Sequence, residues 1–335
     1  MFVGWIASGC GGSDPGESQG TGTDGATTAD ETTAGDTGDT PTTGGAPACG
    51  PDDPTSIEGD VMLTPAMIPG MRCVAKISGT LTIQDFPGPS LAGLEALTTV
   101  TDSVYIEENP ALTSLSGLDG LQQIGGSLWI QSNSGLASLT GLEALTSIND
   151  SLVLRDMGSL VGLDSLATVA GDLQIGSDFA LTSLTGLGAL TAVGGDVNIY
   201  QNDLESLAGI EALRTIGGNF EITNNHQLTS LAGLSGLIVV SGQLEIVQNG
   251  ALPALAGLEA LTTIGGHLEI DGETALTSLA GLAGLTSLDQ SPPPDEFEGS
   301  SISGNPALCQ SEAEAFFAKF GLSCEFPACL DNASC

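Results

Sequence analysis

The sequence predicts an all-β solenoid, and three observations predict it: a repeated motif, a nearly constant period and a strand-like alternation inside each copy. The clearest copy runs from Gly126 to Leu142 and reads G-x-L-x-I-x-x-N-x-x-L-x-S-L-x-G-L. Its L-x-I core recurs nine times between residues 81 and 270 at steps of 21 to 24 residues, and a weaker tenth copy ends at Ile302. Such a period is typical of a solenoid of about ten turns, each burying its apolar side chains only against its neighbours.

Each part of the repeat has a structural interpretation. Side chains alternate along a strand, so the two apolar residues of L-x-I point inward and the middle residue points outward. Glycine stands two residues before most of the strands, where we expect sharp left-handed corners. These corner residues are Gly79, Gly126, Gly171, Gly195, Gly218, Gly242 and Gly266, with Asp102 and Asp150 in two copies.

Asparagine recurs three residues after the strand in six copies. We interpret these side chains as a stacked ladder that satisfies backbone groups left unpaired at a bend, rather than as catalytic groups. The predicted ladder consists of Asn109, Asn133, Asn202, Asn225, Asn249 and Asn305.

Once aligned, the repeats resemble the receptor L-domain, the leucine-rich-repeat-like right-handed β-helix of receptor ectodomains. The resemblance covers roughly residues 75 to 310 and rests on the repetition of L-x-I-x-x-N-x-x-L-x-S-L-x-G-L. It implies a ligand-binding or adhesive domain without catalysis. The chain is one longer array without cysteine-rich modules, so no ligand-binding residue is transferred from that family.

Composition narrows the choice of partners. The chain has 335 residues with 5 Lys and Arg against 41 Asp and Glu, a formal net charge of −36. A surface of this sign repels nucleic acid and anionic lipid headgroups, so neither is expected to bind. The sequence contains no apolar run long enough for a transmembrane helix.

Residues 1–10 and 11–48 predict an anchor and a tether. Ile6 to Cys10 resembles a bacterial lipobox, although Ala7 stands where leucine is preferred and no basic residues precede it. Lipidation of Cys10 is the favoured interpretation, and a fortuitous cysteine is the alternative. The next segment is nearly all Gly, Thr, Asp, Ser, Ala and Glu, a composition typical of an extended disordered linker. We therefore expect a lipoprotein of the bacterial cell envelope, displayed at the outer membrane or cell surface, with the lipid as its sole membrane contact.

The other six cysteines flank the repeats and predict disulfide-stapled caps. Residues 49–78 form the expected N-terminal cap with a Cys49–Cys73 bridge, and residues 79–308 the repeat solenoid. In the C-terminal cap, residues 309–335, we expect Cys309–Cys324 and Cys329–Cys335, although spacing alone leaves the connectivity open. Zinc is a weaker alternative, because the thiols lack paired C-x-x-C spacing. Ser311 and Glu314 predict a capping box for one short helix that ends at Gly321.

The outward positions of the strands supply the candidate binding residues. Tyr105, Trp129 and Tyr200, the only Tyr and Trp residues after Cys10, all fall there, together with Gln131 and Arg155. Exposed amphipathic aromatic side chains favour a recognition surface for a glycan, a peptide or another surface protein. The alternative is that Tyr and Trp are simply good strand residues.

Further along the same face, Glu221, Glu245 and Glu269 predict a stack of like charges, with Asp271 beside it. A cation would relieve their repulsion, and carboxylate oxygens are the ligands of Ca²⁺. The sequence has no calcium-binding loop motif, so solvated glutamates are favoured over a calcium site and no cofactor is expected.

Two departures from the period mark local features. The turn at Met157 is 21 residues long and has methionine in place of the ladder asparagine. The insertion from Asp289 to Glu298 contains three consecutive prolines and predicts a surface loop.

No motif of a hydrolase, metalloprotease or nucleotide-binding enzyme is present. The two histidines, His226 and His267, are interpreted as surface or corner residues rather than a catalytic pair. We therefore expect a ligand-binding or adhesion module without catalysis. A structural cell-surface or cell–cell contact protein is the first alternative, and a polysaccharide-active β-helix enzyme the second.

Overall fold

The computed structural model describes residues 49–50, 53–178, 180–289, 299–322, 329 and 331–335. The chain divides into two units, Met1–Ala48 and Cys49–Cys335. The predictions for Cys10, for the tether and for most of the proline-rich insertion concern residues outside this description.

The described residues from Cys49 onward form the predicted right-handed-type β-solenoid of about ten turns. Two parallel sheets of eleven strands each run its length, and every turn contributes one strand to each sheet. The long-strand sheet, which carries the L-x-I cores, consists of β2 (Val61–Met62), β4 (Leu81–Gln84), β6 (Val104–Glu107), β8 (Leu128–Gln131), β10 (Leu152–Arg155), β12 (Leu173–Gly176), β14 (Val197–Tyr200), β16 (Phe220–Thr223), β18 (Leu244–Val247), β20 (Leu268–Asp271) and β22 (Ser301–Ser303). The short-strand sheet consists of β1 (Ser56–Glu58), β3 (Lys76–Ser78), β5 (Thr99–Val100), β7 (Gln123–Ile124), β9 (Ser147–Ile148), β11 (Thr168–Val169), β13 (Ala192–Val193), β15 (Thr215–Ile216), β17 (Val239–Val240), β19 (Thr263–Ile264) and β21 (Ser287–Leu288).

The core is a column of branched aliphatic side chains between the two sheets. Leu128 and Ile130 of β8 are buried, and the equivalent residues of the other long strands are buried in the same way. The strands pair in register, for example Leu128 with Leu152 and Ile130 with Leu154. Each turn therefore repeats the same packing against the next, as the constant period predicts.

The prediction of left-handed corners at the glycines before the long strands was wrong. Those glycines do not have positive φ; they are needed because neighbouring turns come too close for a side chain. A Cβ atom on Gly126 would lie 2.5 Å from Oγ of Ser103 and 2.8 Å from its backbone nitrogen. Positive φ occurs instead at two other repeat positions. One lies just before the ladder position, at Asp85, Glu108, Ser132, Asp156, Ser177, Gln201, Asn224, Gln248, Gly272, Gly304 and Asp331, and the other is the glycine of the L-x-G-L segment, at Gly93, Gly117, Gly141, Gly162, Gly186, Gly209 and Gly257.

The predicted asparagine ladder is confirmed and is fully internal. Asn225 shows the pattern: its Nδ2 donates to the carbonyl of Ile199 at 3.0 Å and to Oδ1 of Asn249 at 3.2 Å. Its Oδ1 accepts hydrogen bonds from the backbone N–H and from Nδ2 of Asn202, both at 3.1 Å. Asn225 thereby links three successive turns and satisfies backbone groups that the bend leaves without strand partners.

The N-terminal cap already contains a solenoid turn. Strands β1 and β2 pair with β3 and β4, so both sheets begin within the segment predicted to be non-repeating. A four-residue helix, α1 (Ile68–Met71), follows, and the predicted Cys49–Cys73 disulfide is present. Because these two cysteines are bonded to each other, their thiols are not available to zinc.

The C-terminal cap differs from its prediction in two respects. Helix α2 (Gln310–Ala318) begins after Cys309, which makes no side-chain capping bond, so Ser311 is not the N-cap of a capping box. Cys309 pairs with Cys335, so the predicted Cys309–Cys324 and Cys329–Cys335 bridges were both wrong; Cys329 is itself disulfide-bonded. Helix α2 covers the end of the solenoid, because Phe316 and Phe317 belong to its apolar core.

Two short 3₁₀ helices, Ala232–Leu234 and Ala280–Leu282, complete the regular structure. None of the helices in the described part of the chain has the length and apolar character needed to cross a bilayer.

Candidate functional site

The outer face of the long-strand sheet carries every predicted binding residue, in two rows that run along the solenoid. The middle row consists of Thr82, Tyr105, Trp129, Val153, Gln174, Asn198, Glu221, Glu245 and Glu269. The second row consists of Gln84, Glu107, Gln131, Arg155, Gly176, Tyr200, Thr223, Val247 and Asp271. Strand pairing places each residue directly beside its equivalent in the next turn, for example Glu221 beside Glu245. Most of these side chains are half-buried by their neighbours in the row.

Tyr105 and Trp129 form an aromatic pair near the N-terminal end of the middle row. They are register partners on β6 and β8, and their ring centroids lie 6.3 Å apart with planes tilted by 36°. The next residue in the row, Val153, is only 1% exposed although it lies on the outer face. The pair is thus a partly exposed aromatic surface held on rigid neighbouring strands and bordered by an aliphatic side chain.

The structure does not bring Tyr200 to this pair. Tyr200 lies in the second row of β14, three turns beyond Trp129, which corresponds to about 14 Å along the axis at the usual strand spacing. Its ring lies over Gly176, where a Cβ atom would come within 2.3 to 2.6 Å of the ring carbons. The three aromatic residues are therefore a pair and a separate single ring.

Arg155 lies in the second row, one strand before Gly176. Its Nη2 is 3.5 Å from Oε1 of Gln174, and its Nε is buried without a hydrogen-bond partner. Gln131 donates a 3.2 Å hydrogen bond from Nε2 to Oε1 of Glu107 in the preceding turn. Burial raises the pKa of that Glu107 carboxyl, and the charge of Glu108 raises it further. Gln131 lies on β8, the strand of Trp129, and Arg155 on the neighbouring β10, so both belong to the row beside the aromatic pair.

The predicted acidic strip is also in register. Glu221, Glu245 and Glu269 are consecutive residues of the middle row on β16, β18 and β20. Glu221 accepts a 2.7 Å hydrogen bond from Nδ2 of Asn198, and burial, followed by the charge of Asp196, raises its pKa. Asp271 lies in the second row and accepts a 2.8 Å hydrogen bond from Ser303. Part of the predicted repulsion is therefore relieved by neighbouring donors.

His267 joins the strip at its C-terminal end, which the sequence analysis did not anticipate. It precedes Glu269 by two residues and so points to the same face, and its Nε2 is 3.9 Å from Oε1 of Glu245. One ligand atom from each of Glu245, His267 and Glu269 lies within 4.8 Å of the other two. The sequence signal was the i, i+2 spacing of His267, directly before β20, and Glu269 on that strand. The other histidine, His226, is exposed and lies at a ladder corner.

Two buried acids in the ladder were also missed. Asp178 and Glu273 occupy the ladder position, three residues after the last residue of the L-x-I core, and are 1% and 0% exposed. Burial raises the pKa of each carboxyl to about 7, although hydrogen bonds from Met157 to Asp178 and from Asn249 to Glu273 lower it. The sequence contained this signal, because both residues stand at the same repeat position as the asparagines.

The short turn at Met157 produces the local feature that the period predicted. A cleft of about 410 Å³ opens there, lined by Asn133, Ser134, Leu136, Asp156, Met157, Gly158, Ser177 and Ala180. Met157 itself is buried in the ladder column. The cleft lies at the corner beyond the carboxyl ends of the long strands, apart from the middle row of the outer face.

Comparison with protein-family models and with curated proteins gives no match to this chain. The structure thus establishes the solenoid, whereas the resemblance to the receptor L-domain remains a prediction from the repeat motif.

Proposed function

We propose that this solenoid is a non-catalytic recognition module that binds a glycan, a peptide or another surface protein on its outer face. The observation that carries the proposal is the partly exposed Tyr105–Trp129 pair on adjacent strands. Aromatic rings offer a large contact area at little conformational cost, and Tyr and Trp are enriched among residues that dominate binding energies. The neighbouring Gln131 and Arg155 would supply the polar contacts that fix a ligand's orientation.

The test uses Trp129 as its own reporter. The chain has two tryptophans, so a Trp5→Phe variant leaves Trp129 alone. Ligands selected from glycan and peptide arrays would be titrated while its emission is recorded. We expect a saturable change in emission. Binding by the alanine variants is measured by isothermal titration calorimetry, because Trp129→Ala removes the fluorescent reporter; we expect at least tenfold weaker binding in Trp129→Ala and Tyr105→Ala, as is usual for central aromatic residues.

Tyr200→Ala is the matched control, because it removes an aromatic ring from the same face three turns away. Binding that survives in all three alanine variants would place the ligand elsewhere and defeat the proposal. Retained circular dichroism in each variant excludes unfolding as the cause of lost binding. Self-association in sedimentation without saturable ligand binding would favour the alternative of a structural cell–cell contact protein. Turnover of a polysaccharide would favour the alternative of an enzyme.

A second candidate function is cation binding by Glu245, His267 and Glu269. The imidazole in this set favours a Zn²⁺-type transition metal over Ca²⁺, which prefers oxygen ligands alone. Isothermal titration with Zn²⁺ and Ca²⁺ would measure it. We expect Zn²⁺ binding to be lost in His267→Gln and kept in Glu221→Gln, which removes a charge from the same row. Equal binding by both variants would show that the strip attracts cations only through its overall charge.

We also propose that a lipid on Cys10 holds the protein at the bacterial cell envelope. The support is the lipobox-like Ile6–Cys10 segment and the acidic, apolar-poor segment after it. Mass spectrometry of the N-terminal peptide from the native host would test this. A mature chain beginning at an acylated Cys10 is the expected result, and an unmodified Cys10 within a longer peptide would contradict it.

A further inference from the structure

The hydrogen bonds of the ladder define what each rung must supply. One atom of the rung accepts hydrogen bonds from the rung before it, as Oδ1 of Asn249 does from the backbone and Nδ2 of Asn225. The other atom donates, to a carbonyl of the long strand one turn back and to the oxygen of the next rung. Asn133 makes the first of these donations, from Nδ2 to the carbonyl of Ile106 at 2.8 Å, but its second goes to the carbonyl of Gln131, because Met157 occupies the next rung. A rung therefore needs one acceptor atom and one donor atom.

Asp178 and Glu273 meet only half of this requirement if they are ionised. Oδ1 of Asp178 accepts the backbone N–H of Met157, and Oε1 of Glu273 accepts from the backbone of Asn249 at 2.7 Å and its Nδ2 at 3.1 Å. The second oxygen of each acid remains, where the asparagines have their donor. Both second oxygens, Oδ2 of Asp178 and Oε2 of Glu273, are buried without a hydrogen-bond partner.

The rung after Asp178 lacks its partner as well. Oδ1 of Asn202 is buried without a donor, whereas Oδ1 of Asn225, one rung further, has two. Two unpartnered acceptors thus stand on consecutive rungs of the ladder. A single proton between them satisfies both, because a neutral carboxylic acid is a donor at one oxygen and an acceptor at the other.

We infer that Asp178 and Glu273 are neutral carboxylic acids in the folded solenoid, each donating an O–H hydrogen bond where an asparagine donates N–H. The acceptor for Asp178 is Oδ1 of Asn202. For Glu273, the ladder pattern offers Oδ1 of Asn305, which already accepts the backbone N–H of Glu273 at 2.9 Å, or the carbonyl of Ile246. The two acids therefore make the stability of the fold depend on pH.

The charged groups around each acid are consistent with this assignment. Burial is the largest influence on the pKa of Asp178; the charge of Asp156 raises it, and that of Arg155 lowers it. In the following turn, Asp203 faces it only through its backbone N–H, at 3.3 Å from the carbonyl oxygen of Asp178. For Glu273, burial again dominates, Asp271 raises the pKa, and the turns on either side contribute the neutral Asn249 and Asn305.

The direction of the pH effect follows from the protons bound. Both acids have a pKa of about 7 when folded, against ordinary pKa values of 3.8 for Asp and 4.5 for Glu, so the folded state binds more protons between these limits. The stabilisation is complete below the unfolded pKa and is lost as the pH rises through about 7. The unfolding equilibrium constant then changes by up to about tenfold per pH unit for each acid.

Urea unfolding of the whole protein at about pH 5 and about pH 8.5 tests the inference. For each acid, we expect the wild-type unfolding constant to rise on the order of a hundredfold between these conditions. Asp178→Asn restores a ladder asparagine and should remove one hundredfold factor from this pH dependence of the unfolding constant. The double variant Asp178→Asn with Glu273→Gln should remove both factors. Asp102→Asn is the matched control, since it also removes one negative charge but from an exposed side chain.

Infrared spectroscopy provides a direct readout of the proton. At about pH 6, below the folded pKa, the wild type should show a protonated-carboxyl carbonyl band that is absent from the double variant. Three results would overturn the inference: no such band, a pH dependence as steep in the double variant as in the wild type, or an equal change in Asp102→Asn. Greater stability of the variants at high pH would support it even if they fold less well at low pH.

Discussion

At the scale of single residues, the asparagine ladder turns a side-chain amide into a structural link between turns. Asn225 is fully buried, and its amide contacts residues of the turn before it and the turn after it. A buried amide is stable only when all its polar atoms have partners, and the solenoid provides them because the next turn repeats the same geometry.

We predict that Asn225→Ala destabilises the protein by about 2 to 4 kcal/mol, because the buried donors of Asn202 lose their acceptor and the carbonyl of Ile199 loses a donor. Thr229→Ala is the control, since the exposed Thr229 hydroxyl donates only one 3.1 Å hydrogen bond, to the carbonyl of Glu205. Its cost should stay below about 1 kcal/mol. Urea unfolding measures both; equal losses would mean that the ladder contributes no more than a surface hydrogen bond.

The ladder also shows how far the sequence alone leads at this scale. Six asparagines were predictable from their position three residues after the strand. Asp178 and Glu273 share that position, but acidic residues are abundant in this chain and are usually exposed, so the sequence alone did not predict that these two are buried. Asn332 continues the ladder beyond the repeats, donating to the carbonyl of Ile302 at 2.7 Å. No periodicity marks it, because it lies in the C-terminal cap.

At the scale of the turn, some glycines are needed because neighbouring turns approach too closely for a Cβ atom, and others because the backbone has positive φ. Gly126 would place a Cβ atom 2.5 Å from Oγ and 2.8 Å from the backbone nitrogen of Ser103 in the preceding turn. Real Cβ atoms do not approach a backbone atom this closely, so the spacing between turns would have to change. Because each turn supports the next, a local shift affects both sheets.

We predict that Gly126→Ala lowers the unfolding free energy by about 1 to 3 kcal/mol, the usual cost of overpacking. Gly158→Ala, in the short turn, is the counterpart: a Cβ there meets nothing within 4 Å, and its φ is not positive. It should leave stability unchanged or raise it by about 0.4 to 1 kcal/mol through the unfolded chain. Thermal unfolding compares the two, and similar effects would mean that turn spacing tolerates a methyl group.

The elements themselves were predicted better than their connections. The L-x-I motif gave the long strands and their inward and outward residues, because alternation along a strand follows from geometry alone. The corner conformation was misplaced, since glycine at a bend indicates left-handed backbone or close packing equally well. The disulfide partner of Cys309 also depends on how the last segment folds back, which no repeat constrains. The candidate site was likewise predicted only in part. The register of the repeat placed Tyr105 beside Trp129, but the sequence did not show how far each outward side chain is buried by its neighbours.

At the scale of the molecule, the solenoid is a one-dimensional stack in which each turn contacts mainly its neighbours. We predict that removing one complete turn, residues 226 to 249, leaves a folded protein, because Asn225 is then followed by Gly250 in the same repeat phase. Removing residues 226 to 237 shifts the phase by half a turn and should abolish cooperative unfolding. Circular dichroism and urea unfolding distinguish the two. A folded half-turn deletion would show that the register is not what holds the stack together.

Both parallel sheets run the length of the stack, with one strand per turn in each. The strands of one turn hydrogen-bond to those of the next, so these bonds lie along the axis of the stack. A pull on the two ends would therefore place the same tension on every interface between turns, and the terminal turns, which have a neighbour on one side only, would detach first. Under such tension we expect the module to give way turn by turn from its ends while the remaining turns stay folded.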